Sequence, residues 1–317
     1  MLALAKAVGI RLAYGIPVFF IVTFAVSMLA NLMPGSPGEA ILGDSATPET
    51  IAILNERFGY NLPPFDRYVQ WLGGVIHGDF GATLFSREPV NDLIGRRLAV
   101  TAELAGLALL MSLVVALPTA MFAAIRNGGV FDRIANTISS ALLSIPSFVS
   151  AVLLSLVFTV WLRVFPATGW VSLTDDPLLN LKFAFLPALA LSIYETAFFY
   201  RVMRGDLIGT LREDFVLVAR AKGLPTSYIA FRHVLRPSLT SLVTVLGLAI
   251  GRLLGGAIIV EFFFSVPGIG AEAVNAVAVK DMNLLQAIIT VSVIVYVVLF
   301  ILVDLAYAWI DPRVTVR

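Results

Sequence analysis

The 317-residue sequence contains no cysteine and only two histidines, His77 and His233. Without cysteine the chain has no disulfide framework, no thiol nucleophile and no thiolate metal site. Two histidines are too few for a histidine-rich metal site, and His77 is interpreted as an ordinary loop residue. The His-Glu-x-x-His metalloprotease pattern and the Gly-x-x-x-x-Gly-Lys-[Ser/Thr] phosphate-binding loop are also missing. We therefore expect no metal site and no catalysis, including ATP hydrolysis, in this chain.

Charged residues are scarce as well, at 14% of the chain, whereas a soluble domain has about 25%. The net charge of +1 gives no reason to expect a nucleic-acid partner. A membrane-crossing helix needs about 20 mostly apolar residues. The first apolar stretch is longer than the core of a signal peptide and lacks a cleavage site, so we interpret it as a retained helix. The sequence predicts an all-α integral membrane protein with six spans, at 10–32, 98–124, 134–162, 183–203, 239–263 and 284–310.

Lysine and arginine are distributed unevenly between the two sets of connecting segments. The N-terminus, 125–133, 201–237 and the C-terminal tail hold 13 basic and five acidic residues. The opposite set, 33–97, 163–182 and 264–283, holds eight basic and twelve acidic residues. The positive-inside rule predicts that both termini and 201–237 are cytoplasmic. The predicted divisions are residues 1–33 (N-terminus and first span), 34–97 (external loop) and 98–317 (five-span core with a loop at 204–237).

The predicted cytoplasmic loop combines basic residues with helical periodicity. Residues 204–222 place apolar side chains at helical spacing and predict an amphipathic helix too polar to span. Gly223 suits a helix C-terminus, and Pro225 suits the first turn of a second, short helix at about 225–235. One interpretation is a basic loop lying on anionic lipid. The other is a pair of helices around a glycine turn, presented to a cytoplasmic partner.

Five separated motifs resemble those of ABC importer permeases of the dipeptide and oligopeptide type. "ARAKGL" (219–224) with "RHVLRP" (232–237) resembles the coupling, or EAA, motif of that family. Leu217 stands where the general motif has glutamate, and Arg236 where it has proline. The other matches, in chain order, are "HGDFGATLFSREPVNDLIGRRLAVTAEL" (77–104), "SIPSF" (144–148), "FFFSVPGIGAEAV" (262–274) and "DLAYAWIDPR" (304–313).

The resemblance implies a type I permease fold that encloses half of an alternating-access pathway in a bacterial or archaeal cytoplasmic membrane. It implies as partners a second, related permease (a heterodimer), two ATPase subunits and an external substrate-binding protein, with membrane lipid around the spans. ATP and Mg²⁺ would bind the ATPases, and this chain would need no cofactor. Peptides are the expected substrates; nickel chelates, glutathione and haem are alternatives within the family. The expected ATPase-coupling residues are Ala219, Arg220, Ala221, Lys222, Gly223, Leu224, Pro225, Tyr228, Phe231, Arg232 and His233.

The fifth predicted span carries a row of small residues, Gly247, Gly251 and Gly255, which allows close approach of another helix. The row packs either within this chain or, as the resemblance favours, near the pathway against a second permease. Arg252 and Glu195 lie near mid-depth of the fifth and fourth spans, where a charge is costly without a partner. A structural ion pair is the preferred interpretation, and a polar pathway is the alternative.

The external loop is long enough to hold structure of its own. Thr47 as cap, Pro48 in the first turn and Gly59 as stop predict one helix, and 65–76 predicts a second. These helices either cap the spans or, as the resemblance suggests, contact the binding protein.

Two other classes of protein compete with the importer permease. A stand-alone secondary transporter or channel predicts an inverted repeat and an ion path, and no convincing repeat is visible. A non-transporting scaffold predicts partners without substrate flux.

Overall fold

The computed structural model describes residues 2–30, 37–42, 47–57, 59 and 61–310. This part is helical, and its one β-type contact is an isolated bridge between Ala82 and Pro89. The helices are α1 (Leu2–Ala30), α2 (Pro37–Leu42), α3 (Pro48–Arg57), α4 (Pro64–Ile76), α5 (Val90–Ile125), α6 (Val130–Leu143), α7 (Ser147–Ser155), α8 (Pro177–Thr210), α9 (Asp214–Ala221), α10 (Thr226–Ile229), α11 (Leu235–Phe264), α12 (Ile269–Ala278) and α13 (Met282–Ile310).

Within the described residues, four helical segments are long and apolar enough to cross a membrane: Val90–Ile125, Pro177–Thr210, Thr226–Phe264 and Met282–Val303. They confirm the second, fourth, fifth and sixth predicted spans. Helix α1 follows the first predicted span as far as Ala30, and residues 31–32 of that prediction lie outside the described part.

The third predicted span, 134–162, is not one helix. Helices α6 and α7 meet at an angle of 101°. The break falls at Pro146, which takes an extended backbone conformation (φ −62°, ψ 146°). Proline cannot donate a backbone hydrogen bond and disfavours helical geometry in the residue before it, so the chain turns there. A π-helical turn at Leu156–Trp161 then continues α7. With the bent pair counted as one crossing, the described residues contain up to five spans.

Helix α8 is the centre of the bundle and packs on α5, α6, α7 and α11. Many of its buried positions, and those of α5, are alanines, among them Ala108, Ala120, Ala188 and Ala197. Small side chains allow helix backbones to approach closely where lipid provides no hydrophobic driving force. The tight α5–α8 pair therefore forms the frame on which the functional segment is mounted.

Helices α3 and α4 follow the sequence predictions. Helix α3 begins at Pro48 after Thr47, whose hydroxyl accepts a hydrogen bond from the Thr50 N–H (3.3 Å). Gly59, at φ +71°, follows its end. Helix α4 lies against α1, where the Tyr68 and Thr23 hydroxyls are 2.9 Å apart.

The predicted boundary at 97/98 falls inside α5, because that helix already begins at Val90. The segment 264–283, predicted only as an external loop, holds helix α12.

The glycine row of α11 faces α13 of the same chain. A Cβ added at Gly247 would lie 2.6 Å from Val303, and one at Gly251 would lie 3.1 Å from Tyr296. The Tyr296 hydroxyl also donates a hydrogen bond to the Gly251 carbonyl. These two glycines therefore pack within the chain, and contact of the row with a second permease stays a prediction. Their lack of side chains lets α11 and α13 touch.

Gly247→Ala tests this contact, with Gly256→Ala as its matched control. In an open helix position, alanine is favoured over glycine by about 1 kcal/mol. At Gly247 the new methyl collides with the branched Val303, which has one preferred rotamer in a helix. We expect Gly247→Ala to lower the free energy of unfolding by about 1–2 kcal/mol.

A Cβ added at Gly256 would meet no atom within 4 Å, so Gly256→Ala should leave stability equal or higher. Thermal unfolding of the two purified variants provides the comparison. Equal melting temperatures for the two variants would contradict the close α11–α13 contact.

Candidate functional site

The connecting segment, residues 211–237, joins the long helices α8 and α11. The predicted amphipathic helix 204–222 is in fact two pieces, because α8 continues to Thr210 and α9 starts only at Asp214. Between them the N–H of Arg212 bonds to the Gly209 carbonyl (3.0 Å) and that of Glu213 to Thr210 (3.2 Å). These tight turns end α8 without breaking the helical spacing of apolar residues, so the sequence pattern did not show the boundary.

Gly223 forms the turn after α9, as predicted. Its φ of +79° lies in the left-handed region that glycine enters without steric cost. Its N–H bonds to the Arg220 carbonyl (2.9 Å), and the Leu224 N–H bonds to that of Ala219 (3.3 Å). Pro225 is the residue before α10 and not part of its first turn.

The second helix of the segment is not short. Helix α10, a π-helical turn at Ala230–Val234 and α11 follow one another without a break. The segment Thr226–Phe264 thus behaves as one 39-residue helical rod that crosses the bundle. Tyr228 and the apolar part of α11 therefore belong to the same rod.

The inner face of the connecting segment is anchored in the bundle. Val216, Ile229 and Val234 are fully buried, in one apolar cluster with Met203 and Leu207 of α8. Because these side chains are packed on the α5–α8 frame, the segment is firmly attached to the bundle.

Its outer face, which we call the docking face, is apolar and basic. Five large apolar side chains on it are between 44% and 63% exposed: Phe215, Leu217, Val218, Tyr228 and Phe231. Arg220, Lys222 and Arg232 are exposed among them. Exposed apolar patches with a polar rim typically mark protein contacts. Leu217, at the position where the general coupling motif has glutamate, belongs to this face.

The predicted coupling residues divide between the two faces. Ala221, Gly223 and Pro225 are exposed, and Leu224 and His233 are half-buried. Ala219 is 8% exposed, because it lies one helical turn from Val216 on the inner face. Ala219 therefore packs in the core and is unsuited to direct contact with a partner.

Glu195 and Arg252 form the predicted ion pair between α8 and α11. The Arg252 Nε donates to Glu195 Oε1 (3.1 Å) and its Nη2 donates to Oε2 (2.7 Å). The carboxylate side chain is 4% exposed and the guanidinium side chain 34%. The guanidinium also lies 4.4 Å from the Phe198 ring centroid. This bidentate pair ties the rod to the central helix.

A second buried carboxylate, Glu261, was missed by sequence reasoning. It is completely buried and accepts hydrogen bonds from the Thr101 hydroxyl (2.6 Å) and from the N–H groups of Gly270 (2.8 Å) and Ala271 (3.1 Å). Thr101 in turn accepts from the Ile269 N–H (2.9 Å). Three otherwise unsatisfied donors at the start of α12 are thus satisfied, and α5, α11 and α12 are joined at one point.

Two further buried aspartates join segments that are distant in the chain. Asp132 binds Arg204 of α8 and the Gly128 N–H (2.8 Å). Asp281 accepts from the Leu84 N–H (2.6 Å) in the loop before α5 and from the Leu284 N–H (3.0 Å) at the start of α13. Among the described residues no three His, Asp or Glu side chains are grouped to hold a metal ion.

Known proteins are similar to this chain in sequence and in fold. Residues 116–316 match the family model described as "Binding-protein-dependent transport system inner membrane component". The chain belongs to this family and is a membrane-embedded permease subunit of an ABC importer. Subunits of this class are not themselves catalytic.

Three curated relatives align with 96% of this chain and 97% of their own length. A probable peptide ABC transporter permease of Sinorhizobium fredii is 34% identical over 304 residues. A dipeptide transport system permease of Alkalihalophilus pseudofirmus and a glutathione transport system permease of Escherichia coli K12 are each 31% identical. Among solved structures, an inward-facing form of the MetNI methionine ABC transporter matches with a TM-score of 0.58 at 15% identity. It covers 69% of this chain and 96% of its own, and it supports the type I importer fold.

Removing one partner of the Glu195–Arg252 pair should destabilise the bundle more than removing both. Glu195→Gln leaves the guanidinium without its anion, and we expect a loss of about 3 kcal/mol in the free energy of unfolding. The double variant Glu195→Leu/Arg252→Met replaces the pair with apolar side chains beside Phe198 and should regain most of that loss. Denaturation of the purified proteins measures both. If the double variant loses as much stability as the separate losses of Glu195→Leu and Arg252→Met added together, the two residues act independently.

Proposed function

We propose that this chain forms half of the translocation pathway of a peptide importer and is driven by ATPase subunits through its connecting segment. The observation that carries the proposal is the docking face, an exposed apolar and basic surface mounted at the beginning of a helical rod that crosses the bundle. Such a face has no role in a chain that works alone. It suits a partner that binds the segment and moves it.

The proposed mechanism is alternating access. ATP and Mg²⁺ bind the two ATPase subunits, and closure of the ATPase dimer displaces the docking face of each permease. Because α10 and α11 are continuous, the displacement tilts the rod. The Glu195–Arg252 pair links the rod to α8, so the two helices move together and the pathway opens to the other side.

The positive-inside distribution supports a cytoplasmic position for the connecting segment and for both termini. The family and the relatives support a second, related permease, giving a heterodimer, and an external binding protein as partners. The relatives, which include a dipeptide permease and a glutathione permease, support a peptide or peptide-like substrate. The external helices α3 and α4 and the loop before α5 are the proposed contact surface for the binding protein.

Leu217→Asp and Phe231→Asp test the role of the docking face. Both side chains are more than half exposed, so the substitutions should not disturb the core. A desolvated aspartate in an apolar contact is unfavourable, and we expect each variant to lose about 10-fold or more in ATPase-subunit binding. Substrate uptake should fall in parallel. Co-purification measures the binding of ATPase subunits, and transport into vesicles measures substrate uptake.

Val279→Asp is the matched control, since Val279 is a 43% exposed apolar residue that follows α12, outside the connecting segment. It should retain the ATPase subunits. If the two docking-face variants bind ATPase as well as this control does, the coupling role is refuted.

A further inference from the structure

We propose that a cleft beside the connecting segment binds the phosphate headgroup of an anionic glycerophospholipid. The cleft, with a volume of about 470 Å³, lies between the end of α5, the end of α8 and the last turn of α9. Arg126, Arg212 and Arg220 line it, one from each of these elements. We call it the arginine cleft. The inference does not depend on the proposed function.

The positive charge of the arginine cleft is not neutralised within the described residues. The ion pairs in the described part of the chain involve other arginines, namely Arg96, Arg97, Arg204 and Arg252. Arg126 lies over the Phe122 ring at 4.3 Å, which orients the guanidinium but supplies no anion. Three guanidinium groups around one cavity repel each other, so an anion that binds them together is favoured.

The buried carboxylate at the α5–α6 corner beside the cleft already has its own hydrogen-bond partners. Asp132 is 2% exposed and takes its hydrogen bonds from Arg204, the Gly128 N–H and Asn136. This network fixes the wall of the cleft formed by the α5–α6 corner. Glu213 and Asp214, at the start of α9, are exposed and form no ion pair with the cleft arginines in the described part. The cleft therefore has a fixed wall, and no anionic side chain of the described residues neutralises its positive charge.

Position and shape favour a lipid over a free phosphate ion. Helices α5 and α8 are both long and apolar enough to cross a membrane, and the arginine cleft lies beside their ends at Ile125 and Thr210. Ala124, Ile125 and Ile208 give it an apolar side. Basic pockets between the ends of spanning helices bind anionic headgroups.

The membrane-facing surface beside the cleft suits acyl chains. Val130 and Ile134 of α6 are 75% and 54% exposed. Phosphate would use only the arginines, whereas a phospholipid uses both surfaces. A carboxylate-bearing segment of a partner protein is the competing occupant and gives a different experimental result.

Lipid retention by the purified full-length chain, together with any subunits that co-purify, tests the proposal. Phosphatidylglycerol or phosphatidylcholine with identical acyl chains is added in neutral detergent, and bound lipid is counted by native mass spectrometry. We expect wild type to prefer phosphatidylglycerol. Arg126→Gln/Arg212→Gln should weaken that binding about 30-fold, and Arg220→Gln, which leaves the α5–α6 corner untouched, about fivefold.

Arg133→Gln/Arg236→Gln is the matched control, because it removes two exposed arginines from the same end of the bundle outside the cleft. It should keep the preference. Equal losses in both double variants would overturn the site in favour of general surface charge.

Inorganic phosphate distinguishes the remaining interpretations. Displacement of phosphatidylglycerol by an equal concentration of inorganic phosphate would overturn the lipid assignment. An absence of lipid preference, with subunit co-purification reduced only by the cleft variants, would identify an acidic protein segment instead.

Discussion

Buried carboxylates hold this bundle together at the points where distant segments meet. In a membrane, a polar group receives no compensation from water and must be satisfied by the protein itself. Glu195 joins α8 to α11, and Glu261 joins α11 to α5 and to the start of α12. Asp132 and Asp281 fix the α5–α6 corner and the loop before α5 in the same way. Alanine-rich packing brings the helices close, and these four groups fix their relative positions.

The proposed coupling role requires the connecting segment to act as a mechanical element, and this arrangement supports that role. Its inner face is buried on the α5–α8 frame, and its second half is continuous with α11. Force applied at the docking face therefore reaches the middle of the bundle through one rod. In the middle of the bundle the Glu195–Arg252 pair joins this rod to α8. The Glu261 network holds the far end of α11 against α12. The rod is therefore attached to neighbouring helices at both of these points.

Features that depend on local chemistry were predictable from the sequence. Gly223 as a left-handed turn, Thr47–Pro48 as a helix start and the positions of the long apolar helices all follow from short patterns. The Glu195–Arg252 pair followed from the cost of isolated charges in spans. Glu261 did not, because its partners are backbone N–H groups and Thr101, which is 160 residues away. The end of α8 at Thr210 was not predictable, because the turn that follows it preserves the helical spacing of apolar residues. The helix that packs on the glycine row was not predictable either, because it is determined by tertiary packing.

Site-specific cross-linking tests the central claim, that the docking face contacts ATPase subunits. The chain has no cysteine, so a single introduced cysteine is the chain's only thiol. Cysteines at Leu217, Tyr228 and Phe231, and one at the buried Val216 as reference, are treated with a short thiol–amine cross-linker in native membranes. The account predicts ATPase adducts from the three exposed positions and none from Val216. Adducts absent from all three positions, in membranes that still transport substrate, would contradict it.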